Sequence, residues 1–176
     1  MPNWCKNILR IEGDNLEVKR CIKMLKDDKG HLTFNKIAPM RLPLEDTTSP
    51  VPESVSDEER KRLIDRYGAD NWFDWRYKNW GVKWDASEDN WEDEQVDFET
   101  PWGPPIKFFE KATREFPSLK FKLQFSEENM GYFPLGEATI TKNITNVDGP
   151  KEGSKQAEKF ADNVWLGIWV DNWKEL

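Results

Sequence analysis

From Leu119 to Phe125 the chain alternates cleanly, with Leu119, Phe121, Leu123 and Phe125 on one side and Lys120, Lys122 and Gln124 on the other. Successive side chains of a strand leave opposite faces of the pleat, so a period of two predicts a β-strand with one apolar and one polar face. Such a strand needs a sheet partner and a cover for its apolar side. Tyr132 to Thr141 is the expected hairpin partner, across a turn at Glu128, Asn129 and Gly131. Upstream, Pro104-Pro105 presets a helix start, with Ile106, Phe109, Thr113 and Phe116 on the inner face and Pro117 as the stop.

The N-terminal third has a similar grammar. Asn7 to Gly13 alternates imperfectly, Ile8, Arg10 and Glu12 against Leu9 and Ile11, and reads as a first strand. Asp14 can cap a helix carrying Glu17 as its third residue and Val18, Cys21, Ile22 and Leu25 on one face, ending near Gly30. Leu32 to Ala38 is expected to resume a strand, closed by Pro39. Met40 to Val55 has prolines, a Thr-Thr-Ser run and no periodicity, and reads as a long loop. Ser56-Asp57-Glu58-Glu59 is a capping box for a short helix with Leu63, Ile64 and Tyr67, stopping at Gly68. A second short helix is expected over Phe73, Tyr77 and Trp80.

Trp80 to Asp85 is predicted as a strand start and Glu94 to Trp102 as another, joined by an acidic turn around Ser87 to Trp91. In the tail, Val164 to Val170 is rich in β-formers, yet Ala157, Phe160, Ala161, Val164, Trp165, Ile168, Trp169 and Trp173 keep helical spacing. The expectation is a C-terminal amphipathic helix. Setting the 40–80 segment aside leaves β-α-β, then β-α-β and an added strand. The fold class predicted is α+β, a ferredoxin-like split β-α-β sandwich with an inserted helical and loop excursion at about 40–80, a C-terminal extension at about 143–176 and helices over one sheet face. All 176 residues are expected to form one domain.

Composition narrows the function. Aromatic residues are 13% of the chain and include ten tryptophans, so large rings, each burying roughly 150–250 Å², are expected to dominate the core. A formal net charge of -7 disfavours generic nucleic-acid binding, which rests on Lys and Arg at the phosphates. No stretch approaches the roughly 20 apolar residues of a membrane span, and the N-terminus lacks a signal-peptide core; a cytoplasmic protein is expected. Cys5 and Cys21 are then reduced thiols, and Asn143-Ile144-Thr145 carries no weight as a glycosylation acceptor.

Several stretches together resemble the YubB-like family: Met1-Pro2-Asn3-Trp4-Cys5 with Asn7, Phe34-Asn35-Lys36-Ile37-Ala38-Pro39, Asn79-Trp80-Gly81-Val82-Lys83-Trp84-Asp85, and Thr100-Pro101-Trp102-Gly103-Pro104-Pro105. Phe116-Pro117 and Glu127 with Gly131 also fit. The resemblance runs from Met1 to about Gly136 and implies a ferredoxin-like domain of unknown function carried by bacteria, plasmids and phages. The Trp102 turn departs from it, since small residues are expected around that tryptophan. The family brings no catalytic residues to transfer.

Candidate sites follow from residue types. Trp4, Trp80, Trp84 and Trp102 lie at strand ends that can converge on one rim, either as an aromatic pocket for a small ring-bearing ligand or as core. Asn7, Asn79, Asp85 and Glu127 are the polar groups expected to fix such a ligand. Between Asp85 and Glu99, the carboxylates Asp85, Glu88, Asp89, Glu92, Asp93, Glu94, Asp97 and Glu99 occur with no Lys or Arg among them. They form either a solvated hairpin or an acidic surface that blocks a basic host protein, for instance a defence factor. The spacing does not fit a calcium loop, and neither His31 nor the cysteines have partners for zinc or nucleophilic chemistry. No cofactor and no metal is expected, and catalysis is not needed to explain any residue. The one specific enzyme reading has Pro2 as an N-terminal amine base with Arg10 or Arg41 as electrophile. The tail tryptophans could alternatively mark a homo-oligomer contact.

Overall fold

A computed structural model describes residues 2–176; Met1, with the part of the N-terminal motif that falls on it, lies outside the described residues. Chain order is β1 (Trp4–Glu12), α1 (Asn15–Leu25), α2 (Leu42–Glu45), α3 (Asp57–Tyr67), α4 (Trp72–Asn79), β2 (Ser87–Glu92), β3 (Gln95–Pro101), α5 (Ile106–Glu115), β4 (Lys120–Glu127), β5 (Leu135–Ile140), β6 (Thr145–Asp148) and α6 (Lys155–Trp165). A 3-10 turn, Trp173–Glu175, closes the chain.

The strands form one antiparallel sheet in the order β2-β3-β1-β4-β5-β6. Its first four strands, with α1 and α5 as crossovers, reproduce the ferredoxin-like split β-α-β arrangement; β5 and β6 extend it beyond β4. The α+β, ferredoxin-like fold expected from the sequence is therefore the one found, but with different strands. Leu32 to Ala38 is not a strand: beyond one bridge between Lys26 and Leu32 it runs as bends. Its backbone is spoken for by carboxylates, since the N–H of Leu32 donates to Asp89 Oδ2 at 3.0 Å and that of Phe34 to Asp85 Oδ1 at 2.8 Å. Trp80 to Asp85 is likewise irregular, and the expected turn at Ser87 to Trp91 is itself β2, with the reversal at Asp93 and Glu94.

Helix starts follow local chemistry. Asp14 accepts from the N–H groups of Leu16 and Glu17, and Ser56 from that of Glu59, satisfying donors that a helix cannot pair internally. α1 ends at Leu25, five residues short of Gly30, because Lys26 turns extended to bridge Leu32. The Met40 to Val55 loop contains the single turn α2, which buries Leu44.

The main core lies between α1, α5 and one sheet face. Cys5, Leu9 and Ile11 of β1, Val96 and Phe98 of β3 and Phe121, Leu123 and Phe125 of β4 meet Val18, Cys21, Phe108, Phe109 and Ala112. Ile106, expected on the inner face of α5, is only partly buried there. The opposite face is covered too, contrary to the expectation of helices on one side only. α6 packs Ala157, Phe160 and Val164 onto Ile8 and Leu135. The helical spacing of the tail does not carry through: α6 stops at Trp165, and the chain turns back at Gly167. Trp169 and Trp173 then fold onto this second cluster, so they cover their own sheet instead of forming an outward stripe. The return is fastened by Gln124, whose amide donates to the Val170 carbonyl at 2.7 Å and accepts from the Val170 N–H at 2.9 Å. No helix among the described residues is long and apolar enough to cross a membrane.

Candidate functional site

Of the four tryptophans expected at a rim, three meet. Trp4 and Trp84 have ring centroids 6.2 Å apart, and Trp84 and Trp102 6.1 Å apart, with interplanar angles of 39° and 33°. They form a stepped row at the end of the sheet where β1 begins and β3 ends. Trp84 and Trp102 remain 36% and 43% exposed, which is high for rings of this size. Trp80 is elsewhere: it is 1% exposed, packs edge-on against Phe34 and Trp75, and donates its indole N–H to the Ala38 carbonyl at 2.9 Å. It is a core residue, because its position just after α4 points it inward while Trp84, four residues on, has left the core.

Trp102 holds an unusual backbone. Its φ is +62°, a left-handed conformation that bulky residues seldom adopt. The turn is held from below. Asn7, fully buried, donates to Thr100 Oγ1 at 2.8 Å, and Thr100 donates onward to the Gly103 carbonyl at 2.7 Å. The Trp102 N–H donates to the Asn3 carbonyl at 2.9 Å. Asn7 therefore supports the rim without lining it.

The other expected polar groups are engaged. Asp85 takes four hydrogen bonds, from Thr33 Oγ1, the Phe34 N–H, Asn35 Nδ2 and the Ala86 N–H, at 2.7 to 3.0 Å. It latches the 33–35 bend to the segment leading into β2. Asn79 donates to the Trp75 carbonyl and accepts from Lys111, away from the rim. Glu127 is buried and accepts from the Asn129 N–H at 2.7 Å, and its carboxylate helps push up the Cys5 thiol, which burial raises first. Both cysteines are buried free thiols, Cys21 being pushed up to about 12.

The acidic run divides in the same way. Asp89 accepts from Leu32, from Trp91 Nε1 at 3.1 Å and lies 3.1 Å from His31 Nδ1; Asp97 pairs with Lys6 at 2.8 Å. These two, with Asp85, are structural. Glu88, Glu92, Asp93 and Glu94 are exposed. Glu99 is half-buried on the face it shares with Trp4: Trp4 pairs with Pro101 and Lys6 with Glu99, so Trp4 and Glu99 are diagonal neighbours. Burial first, then Glu88, Glu128 and Asp97, hold the Glu99 carboxyl above its usual range against the pull of Lys6.

Lys83 was not singled out by the sequence. Its ammonium lies 4.8 Å from the Trp84 ring centre, 5.5 Å from that of Trp102, 5.7 Å from Trp72 and 6.0 Å from Phe73. The only signal was its place between two tryptophans in Trp80-Gly81-Val82-Lys83-Trp84. Among the described residues no group of three or more His, Cys, Asp or Glu side chains is placed to hold a metal ion. Arg10, one electrophile needed by the Pro2 reading, stands six residues along β1 from Trp4, about 20 Å away, stacked on Trp169 and paired with Asp171.

The sheet order, its two crossover helices and the motif-bearing turns define a ferredoxin-like domain. The chain belongs to the family described as the ferredoxin-like domain in Api92-like protein, whose model matches residues 79–166. That match begins at Asn79, well after the start of the expected resemblance, and continues into the tail. Among solved structures, the crystal structure of protein api92 from Yersinia pseudotuberculosis is similar at 11% identity, covering 86% of this chain and 99% of that one with a TM-score of 0.46. No curated protein matches the chain.

Proposed function

We propose that this protein is a non-enzymatic binding protein of mobile-element type that recognises a small ring-bearing ligand at the row formed by Trp4, Trp84 and Trp102. The observation that carries the reading is Trp102 itself. A large apolar ring is held outward on a left-handed backbone that costs roughly 1–2 kcal/mol for an L-residue, and a buried Asn7-Thr100-Gly103 hydrogen-bond chain keeps it there. Strain supported from beneath is what a presented recognition surface needs. Indole faces stack planar rings without regard to their polar edges, at about 1–3 kcal/mol per ring.

The test is an NMR titration of the indole N–H signals with adenosine, nicotinamide, 1-methylnicotinamide and benzenesulfonate, to about 10 mM, where a contact of roughly 3 kcal/mol registers. Saturable shifts of the Trp84 and Trp102 signals, with Trp80 unmoved and the effect lost in Trp84→Ala, are expected. If none of the four probes shifts them, the reading fails.

A second reading, an acidic surface that blocks a basic host protein, draws support from Glu88, Glu92, Asp93 and Glu94, which stay exposed around the β2–β3 hairpin. It requires binding that weakens steeply with salt and survives Trp84→Ala.

A further inference from the structure

The charges around the rim distinguish its two ends. Resting on the rim reading above, we propose that the Trp4 end of the row takes a positively charged ring, a planar heteroaromatic with a protonated or quaternary nitrogen. Three observations converge.

The indole faces already hold a cation. Lys83 lies over Trp84 and Trp102, and among the described residues no carboxylate comes within ion-pair distance of it. Its ammonium is settled by ring quadrupoles, whose negative faces attract any cation placed within about 6 Å. Lys83 lies over the middle and far rings of the row, Trp84 and Trp102, and no cation lies over Trp4 among the described residues. At the Trp4 end the neighbours are negative instead. Glu99 sits diagonally beside Trp4 on the same sheet face, and Glu128 is tied there through its backbone N–H, which donates to the Trp4 carbonyl at 2.9 Å. The nearby cation, Lys6, is already committed to Asp97 at 2.8 Å. Glu99 is thus half-buried, has Glu88 and Glu128 as like-charged neighbours, and shares its cross-strand partner Lys6 with Asp97. A cationic ring seated against Trp4 would stack on indole and relieve this crowding in one step. An anion would meet repulsion there.

The test uses two rings that differ by one charge, nicotinamide and 1-methylnicotinamide, titrated against the full chain. The cation is expected to bind about fivefold more tightly, the scale of one partly exposed charge pair. Glu99→Gln, and independently Glu128→Gln, should bring that ratio toward one while leaving nicotinamide unchanged. Lys83→Gln should strengthen 1-methylnicotinamide by removing a competing like charge. Equal binding of both probes to the unmodified protein overturns the charge inference and leaves the ring site standing. Silence from both probes, with adenosine and benzenesulfonate silent too, removes the site itself. Weaker cation binding in Lys83→Gln would also overturn the inference, since it would make Lys83 part of the ligand's seat.

Discussion

Asp85→Asn separates a ligand-fixing carboxylate from a structural one. Asp85 Oδ1 accepts from the Phe34 and Ala86 N–H groups, and Oδ2 from Thr33 Oγ1 and Asn35 Nδ2. An amide has a single acceptor oxygen. Placed at the Oδ1 position, it keeps both backbone bonds but strips them of charge, a loss of about 1 kcal/mol each given roughly 1.5–3 for charged and 0.5–1.5 for neutral bonds. The new NH2 faces Asn35 Nδ2, which loses its acceptor, while the Thr33 hydroxyl can rotate to accept. The expected cost is about 2 kcal/mol, or roughly 4–8 °C in Tm for a chain of this size. Asp85→Ala, which leaves the Phe34 and Ala86 donors without a partner, should cost about 4 kcal/mol. Urea unfolding with an unchanged slope reads both. Binding of a ring probe by the folded Asp85→Asn protein should be unaltered. If Asp85→Asn costs less than about 0.5 kcal/mol yet abolishes probe binding, the latch assignment is wrong and Asp85 belongs to the site.

Trp80→Phe should lose about 2 kcal/mol, since it keeps the edge-on packing but leaves the Ala38 carbonyl without its donor; Trp80→Ala should cost about 3–5, both by urea denaturation. Gln124→Glu puts an acceptor against the Val170 carbonyl and Glu137, so limited proteolysis should cut between residues 166 and 176 at a low protease concentration that spares the unmodified chain. Arg60 and Asn71 outweigh burial and hold Asp70 below the usual carboxylate range. Its stabilisation, about 1 kcal/mol with Arg60 half-exposed, is present at neutral pH and lost as pH falls through that lowered value; Asp70→Asn should flatten this part of a urea-stability profile. Trp102→Gly should cost no more than about 2 kcal/mol, since relief of the left-handed strain offsets much of the lost ring packing, while removing ring binding in the NMR titration.

What was legible in the sequence was whatever local chemistry decides. The caps at Asp14 and Ser56, the Pro105 start of α5 and the alternation of β4 each act within a few residues, and all four elements start within a residue of where expected, although α1 stops five residues short of Gly30. β2 was not legible, because Ser-Glu-Asp-Asn-Trp-Glu has no apolar face to report. It is an edge strand whose order comes from pairing with β3, and a charged edge of this kind resists pairing with other chains. Leu32 to Ala38 looked like a strand because Leu32 and Phe34 are core residues, yet which partner its N–H groups take depends on carboxylates some fifty residues away. β6, exposed at all four residues, is decided by β5 in the same way. The site shows the same limit: strand-end tryptophans could be listed, but nothing local separates the buried Trp80 from the exposed Trp84.

That separation is a consequence of where the two rings stand relative to Asp85. The Asp85 latch fixes the 33–35 bend against the approach to β2, which places Phe34 in the core beside Trp80. With Phe34 and Trp80 filling that space, Trp84 has no room inside and turns to Trp4 and Trp102. The rim is therefore built from the sheet outward: β1 and β3 set Trp4 against Pro101, the Asn7-Thr100-Gly103 chain sets the turn that raises Trp102, and the latch sets Trp84 between them. Three independent long-range constraints meet at one exposed aromatic row. Core packing alone does not require Trp102 to stand 43% exposed on a left-handed backbone, and that is the physical ground for reading the row as a surface made to be met.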